Sequence, residues 1–194
     1  MSLILPFDTE TTGLPDWKNP SDSESQPHLV EIGALLVDES TRETIETVDV
    51  IIRPDGWEWD EENEAFKKHG ITFEKAMDEG IPEQEALEQF MALYDKCDKR
   101  TAFNTTFDNR MIRVAQMRYG TPVEIMEAWK SEKDKYFCTM IKSKEPMSIK
   151  KWPTLVAAHA HFFGEGVFKE THRALADAVA AKEIYFALKD LGVV

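Results

Sequence analysis

Leu3-Ile-Leu-Pro-Phe-Asp-Thr-Glu-Thr-Thr-Gly-Leu14 opens the chain with a short apolar run that ends in two acids. Leu3 to Phe7 is short and apolar, as a strand at the centre of a sheet would be. Alternate side chains of a strand share a face, so Asp8 and Glu10 would point the same way. Two neighbouring carboxylates repel, and both stay ionised only with a cation between them. A strand end whose acids simply face water fits the pair as well.

Outward from this segment, Asp16 to Pro27 is rich in Pro, Ser, Asp and Asn without apolar period, which predicts an exposed loop. His28 to Val37 and Glu43 to Ile52 read as strands, and the short polar link Asp38 to Arg42 suggests a hairpin. After Pro54 the pattern turns helical. Asp60 to His69 reads as an acidic surface helix, and Glu83 to Cys97 as an amphipathic one with Leu87, Phe90, Met91, Tyr94 and Cys97 on its apolar face. Thr101 to Asn104 fits a strand, Thr105 to Tyr119 a helix, and Tyr136 to Met140 a last strand. Trp152 to Phe163 and His172 to Leu191 close the chain as helices. Strands first, then helices with strands interleaved, predict a mixed α/β layered fold. Without repeats or a linker, residues 1–194 read as one domain.

Two of these helices carry an acid where an apolar residue is expected. Asp108 shares a helix face with Met111, Ile112 and Ala115, and Asp177 shares one with Ala174, Ala180, Ala181 and Ile184. An ionised carboxylate on a core-facing stripe is costly unless paired or bound to metal. Asp108 also lies near a helix N-terminus, where a capping acid is at home, although Thr105 competes for the cap. His172 precedes Asp177 by five positions, about 140° around a helix, so both reach one site only if His172 sits outside the helix start. Gly164 and Gly166 upstream make such a loop plausible. Coupled to converging acids, His172 is a candidate general base.

Composition narrows the function classes. The net charge is −13, from 23 Lys+Arg against 36 Asp+Glu, unlike a module that grips duplex phosphates by charge alone. A nucleic-acid substrate would need divalent metals at the point of contact, with local basic residues such as those between Lys130 and Lys151 steering the rest. No apolar run approaches the roughly 20 residues of a membrane span, and Leu3 to Phe7 lacks the flanks of a signal peptide. Cys97 and Cys138 show no metal spacing; isolated thiols in a cytoplasmic protein are expected, with a single disulfide as the alternative.

Phe7-Asp-Thr-Glu-Thr-Thr-Gly-Leu14, Asn104-Thr-Thr-Phe-Asp108 and His172-Arg-Ala-Leu-Ala-Asp-Ala178 resemble, in order, the three motifs of the DEDDh exonuclease superfamily. His28-Leu-Val-Glu-Ile-Gly33, His69-Gly-Ile-Thr72 and Lys151-Trp-Pro-Thr-Leu155 extend the likeness over nearly the whole chain. The proofreading epsilon subunit of bacterial DNA polymerase III and its single-domain relatives are the branch it is most similar to. The departure is the polar insertion Asp16 to Gln26, where the family binds the 3′ end; it bears on substrate preference and not on the chemistry.

The resemblance implies a ribonuclease-H-like mixed sheet flanked by helices and a 3′→5′ exonuclease releasing nucleoside 5′-monophosphates, from DNA in preference to RNA. Asp8, Glu10, Asp108 and Asp177 would hold two Mg²⁺ or Mn²⁺ ions, whose preference for hard oxygen ligands this set suits, and His172 would take a proton from the attacking water. Thr11, Thr12 and Leu14 would line the terminal nucleotide pocket, Leu14 and Phe107 would wedge the base, and Asn104 would order the second motif. The implied partners are a single-stranded or frayed 3′ end and a DNA polymerase. An idle exonuclease-like adaptor would have lost an acid or the histidine, and all five are present. An ATP-binding fold of the actin and sugar-kinase type would need glycine-rich phosphate loops, which the 9 glycines do not form.

Overall fold

The computed structural model describes residues 2–132, 135–169 and 171–194. Its centre is a five-stranded mixed sheet built from β1 (Leu3–Thr11), β2 (Leu29–Asp38), β3 (Thr44–Ile51), β4 (Lys99–Ala102) and β5 (Tyr136–Cys138), in the order β3-β2-β1-β4-β5. The first three strands form an antiparallel meander, whereas β4 and β5 add in parallel on the other side of β1. The helices are α1 (Glu64–His69), α2 (Phe73–Glu79), α3 (Glu83–Tyr94), α4 (Thr105–Arg118), α5 (Val123–Ser131), α6 (Thr139–Ser143), α7 (Leu155–Phe163) and α8 (Ala174–Asp190).

Strand periodicity sorts the core into two layers. Leu5 and Phe7 of β1, with Ile32 and Ala34 of β2, pack against Phe90 of α3 and Met111, Ile112 and Ala115 of α4. Ile4, Leu35 and Val37 point to the opposite face and meet Tyr185 and Phe186 of α8. With both faces covered, β2 is buried along nearly its whole length and reads as a continuous apolar run interrupted by Glu31 and Gly33.

Several boundaries differ from the sequence expectation, each for a physical reason. Strand β4 begins at Lys99, two residues before the expected Thr101, because Arg100 is a buried strand residue. Its guanidinium lies 3.9 Å from the Trp129 ring centroid and donates to the Trp129 carbonyl at 2.6 Å and to Asn109 Oδ1 at 3.1 Å. The acidic surface helix starts at Glu64, where Asn63 Oδ1 accepts the Ala65 N–H, and α3 stops at Tyr94. Strand β5 stops at Cys138 because α6 begins at Thr139, and α7 starts at Leu155, capped by the Thr154 hydroxyl. Helices α2, α5 and α6 went unread in the sequence.

The segment from Asp16 to Pro27 is a loop, as expected, but a pinned one. The Gln26 side chain is 2% exposed; its Oε1 accepts the Asp16 N–H, and its Nε2 donates to the carbonyls of Asp16 and Pro20. Three arginines of α4 hold the same loop: Arg110 donates to the carbonyls of Asp16 and Asn19, Arg113 to Ser21 Oγ, and Arg118 to those of Gln26 and Pro27. Cys97 and Cys138 are free thiols. Of the basic stretch, Lys133 and the Lys130 side chain lie outside the described residues. No helix among the described residues is long and apolar enough to cross a membrane.

Candidate active site

Asp8 and Glu10 continue the phase of Ile4 on β1, so both face the layer that contains α8. Asp108 arrives from the other side. Strand β4 ends at Ala102 and the chain turns into α4, whose first turn lies beside β1. There Asp108 Oδ1 accepts both the Thr9 N–H at 3.0 Å and the Thr9 hydroxyl at 2.8 Å, tying helix to strand. Its stripe of Met111, Ile112 and Ala115 is fully buried, and Asp108 itself is 2% exposed.

Two residues of β2 set the start of α8. Gly33 pairs with Asp8 in the sheet register, and a Cβ on it would lie 2.1 Å from Leu175 N and 2.3 Å from Ala174 C. Only glycine lets the helix backbone rest on the sheet at that point. Glu31 pairs with Glu10 in the register and is wholly buried. Its carboxylate accepts Arg173 Nε at 2.9 Å, Arg173 Nη2, and the Ala174 N–H at 2.8 Å. Two acids directly opposite on one face repel, and Arg173 neutralises the inner one. The Ala174 N–H is an unsatisfied helix-start donor, so Glu31 also serves as the cap that the Arg173 position lacks.

This packing brings Asp177, 5% exposed, over the strand acids. His172 stands outside the helix, two residues before Ala174, in the left-handed region at φ 48°. Ligand atoms of Glu10, His172 and Asp177 all lie within 4.8 Å of one another. Thus the histidine stands among the acids.

The electrostatics are those of crowded acids. Burial pushes Asp8 well above the usual carboxylate range, reinforced by Asp108, Glu10, Asp177 and Glu31. Burial also raises Asp108 to about 7, with Asp177 adding to it and the Thr9 hydrogen bonds opposing it. A divalent cation would reverse this balance by stabilising the ionised forms. The donor set fits such a cation: carboxylate oxygens predominate, with one imidazole within reach of two of them. Nearby His69 is buried, accepts the Ile71 N–H through Nδ1, and is pushed down to about 4 by burial, so it stays neutral.

The residues expected around a terminal nucleotide divide. Leu14 is 83% exposed, Asn104 is exposed at the start of α4, and Phe107 is half-buried against the α3–α4 core. Thr12 is half-buried, and its hydroxyl accepts the His28 N–H at 3.0 Å. Thr11 falls in the opposite strand phase from Glu10 and is turned inward, its hydroxyl donating to the Gly13 carbonyl. It shapes the turn and does not open onto the surface. Sequence reasoning missed Thr9, Glu31, Gly33 and Arg173 as site-building residues. Only Glu31 left a signal, an acid inside the apolar run Leu29 to Val37.

A sequence profile described as an exonuclease of the RNase T type matches residues 5–185. The chain belongs to this exonuclease family. The three motifs that resemble the DEDDh superfamily all lie within the matched span. No curated protein sequence matches significantly. Among solved structures, E. coli exonuclease I in complex with a dT13 oligonucleotide superposes with a TM-score of 0.74 at 20% identity, over 97% of this chain and 41% of that one. The nuclease domain of 3′hExo, a DEDDh family member bound to rAMP, gives 0.72 at 12% identity over 99% and 94% of the two chains. The zinc-bound E. coli exonuclease I–ssDNA complex gives 0.71 at 20% identity over 98% and 41%. These likenesses establish the ribonuclease-H-like fold of this exonuclease, which spans only the stated 41% of exonuclease I.

Proposed function

We propose that this exonuclease removes nucleotides from a free 3′ end, DNA in preference to RNA, and releases nucleoside 5′-monophosphates, with residues 1–194 acting as one nuclease domain. The observation that carries the proposal is the convergence of Glu10, Asp177 and His172 within 4.8 Å, beside Asp8 and Asp108. Asp8, Glu10, Asp108 and Asp177 would hold two Mg²⁺ or Mn²⁺ ions. Such ions, when bound, offset the charge developing on the phosphate and lower the pKa of a bound water. His172 accepts the proton of the attacking water, and its position outside α8 lets it face the acids.

Leu14 and Phe107 hold the terminal base between apolar surfaces, which discriminate little among bases. Thr12 and Asn104 border the same pocket, and Thr11 supports it from within through Gly13. The substrate is a single-stranded or frayed 3′ end, and the epsilon-like motifs favour a DNA polymerase as partner.

A gel assay of 5′-labelled single-stranded DNA, duplex DNA and RNA tests the reading. A descending ladder with Mg²⁺ or Mn²⁺ and none in EDTA is expected. Full activity in chelator would overturn the metal chemistry, and immediate release of labelled mononucleotide would overturn the polarity.

A further inference from the structure

Beyond the metal-centred site, the outer face of α4 carries a second cavity of about 240 Å³. Three aromatic residues line it, Trp17, Trp129 and Tyr136, together with the guanidinium groups of Arg110 and Arg113, and no carboxylate lines it among the described residues. In a chain of net charge −13 such a lining is unusual. Two acids act on its cations from outside the lining, Asp16 on Arg110 and Glu127 on Arg113.

Trp17 is 57% exposed, yet its backbone is fixed on both sides. Arg110 Nη2 donates to the carbonyls of Asp16 at 3.3 Å and Asn19 at 2.6 Å, and the buried Gln26 side chain ties Asp16 to Pro20. The Arg110 guanidinium lies 5.8 Å from the Trp17 ring centroid. Arg113 spends Nε on Ser21 Oγ, and its terminal amino groups carry no hydrogen bond among the described residues. An indole held on a rigid loop, with Arg113 lining the same cavity, offers one ring for a base and donors for a phosphate. Water solvates that indole poorly, so its exposure has a cost that a stacked base would remove.

We propose that Trp17, with Arg110 and Arg113, forms a subsite for an unpaired nucleotide upstream of the 3′ end, a reading that rests on the nuclease function proposed above. Thr106 and Asn109, which also line the cavity, flank Phe107 and Asp108 in the first turns of α4. Arg110 and Arg113 project from the side of α4 opposite the buried Asp108 stripe, so the cavity lies about one helix diameter, roughly 10 Å, from Asp108. A stacked strand rises about 3.4 Å per nucleotide, so the Trp17 ring meets a base about three nucleotides in from the end. The Asp16–Gln26 loop thereby becomes a device for holding single strands during digestion.

The experiment is abasic scanning of 5′-labelled DNA and RNA oligonucleotides, with wild type, Trp17→Ala and Trp17→Phe compared. Stacking of this kind predicts about a tenfold or greater rise in KM for Trp17→Ala, with kcat unchanged and Trp17→Phe near wild type. In the wild type one abasic position upstream of the end should reproduce that loss, and Trp17→Ala should be indifferent to the same lesion. Equal KM for Trp17→Ala and wild type on long oligonucleotides, or equal sensitivity of both to every abasic position, would overturn the subsite. If wild type degraded nothing with any divalent ion, the nuclease reading would fall; fluorescence anisotropy of a labelled oligonucleotide in EDTA would then decide the subsite, weaker binding by Trp17→Ala sustaining it and equal binding overturning it.

Discussion

Replacing Gly33 by alanine should disable the nuclease without touching an acid or the histidine. The Cβ of Gly33→Ala would lie 2.1–2.4 Å from the backbone of Ala174 and Leu175, whereas ordinary contact begins near 3.4 Å. All three crowded atoms belong to the α8 backbone, so no flexible side chain can give way. The helix start must therefore move by at least about 1 Å, or the sheet must yield by as much. Asp177 and His172 travel with that helix start, while Asp8, opposite Gly33 in the register, stays with the sheet. Displacement of reacting groups by about 1 Å can cost roughly 100-fold in rate. Overpacking of this kind also costs about 1–3 kcal/mol, which for a chain of this size lowers Tm by roughly 2–12 °C. Turnover on a 5′-labelled strand at saturating metal, with a thermal melt of the same preparation, measures both. Gly13→Ala is the control for stability, since a Cβ at Gly13 meets nothing within 4 Å. A Gly33→Ala protein with turnover within about threefold of wild type would refute the claim that this contact places the site.

Three further outcomes follow from the same geometry. Glu31→Gln keeps an acceptor for the Ala174 N–H but loses the charge that holds Arg173; turnover should fall about 10–100-fold, as for other residues that orient ligands, with KM for the oligonucleotide unchanged and Glu31→Asp partly active. His172→Ala should lower turnover by about 10²–10⁴-fold and remove the lower limb of the pH–rate profile, and wild-type turnover at neutral pH would discard it as the base. In EDTA the folded protein holds the Asp108 proton up to about pH 7 while the unfolded chain releases it near the ordinary aspartate value of 3.8, so this group's contribution to stability falls as pH rises through that window. Melts in EDTA should lose this decline in Asp108→Asn, and Mg²⁺ should raise Tm more at pH 7 than at pH 5; an unchanged slope in the variant would contradict the assignment.

The strand pair Asp8 and Glu10 and the acids on the stripes of α4 and α8 were legible in the sequence because each rests on local periodicity. A carboxylate out of phase with its neighbours is visible within one or two turns. The helix expected from His172 to Leu191 starts at Ala174 instead, and His172 stands two residues before it, meeting the condition that helix geometry set for its sharing a site with Asp177. Local pattern failed wherever burial of a polar group depends on a distant partner. Arg100 lay outside the expected strand Thr101 to Asn104, and only the Trp129 carbonyl, 29 residues on, together with Asn109, accounts for its guanidinium inside the core. Asp16 to Pro27 has the composition of a solvated loop, and only the arginines of α4, some ninety residues away, reveal that it is pinned. Gly33 in an apolar strand reads as a weak point, yet its lack of a side chain admits the backbone of Leu175, 142 residues later. Periodicity thus determined which residues face inward, a property each segment carries in its own sequence. Which inward faces meet, and how closely, depended on contacts between segments distant in the chain, and these only the tertiary structure could decide.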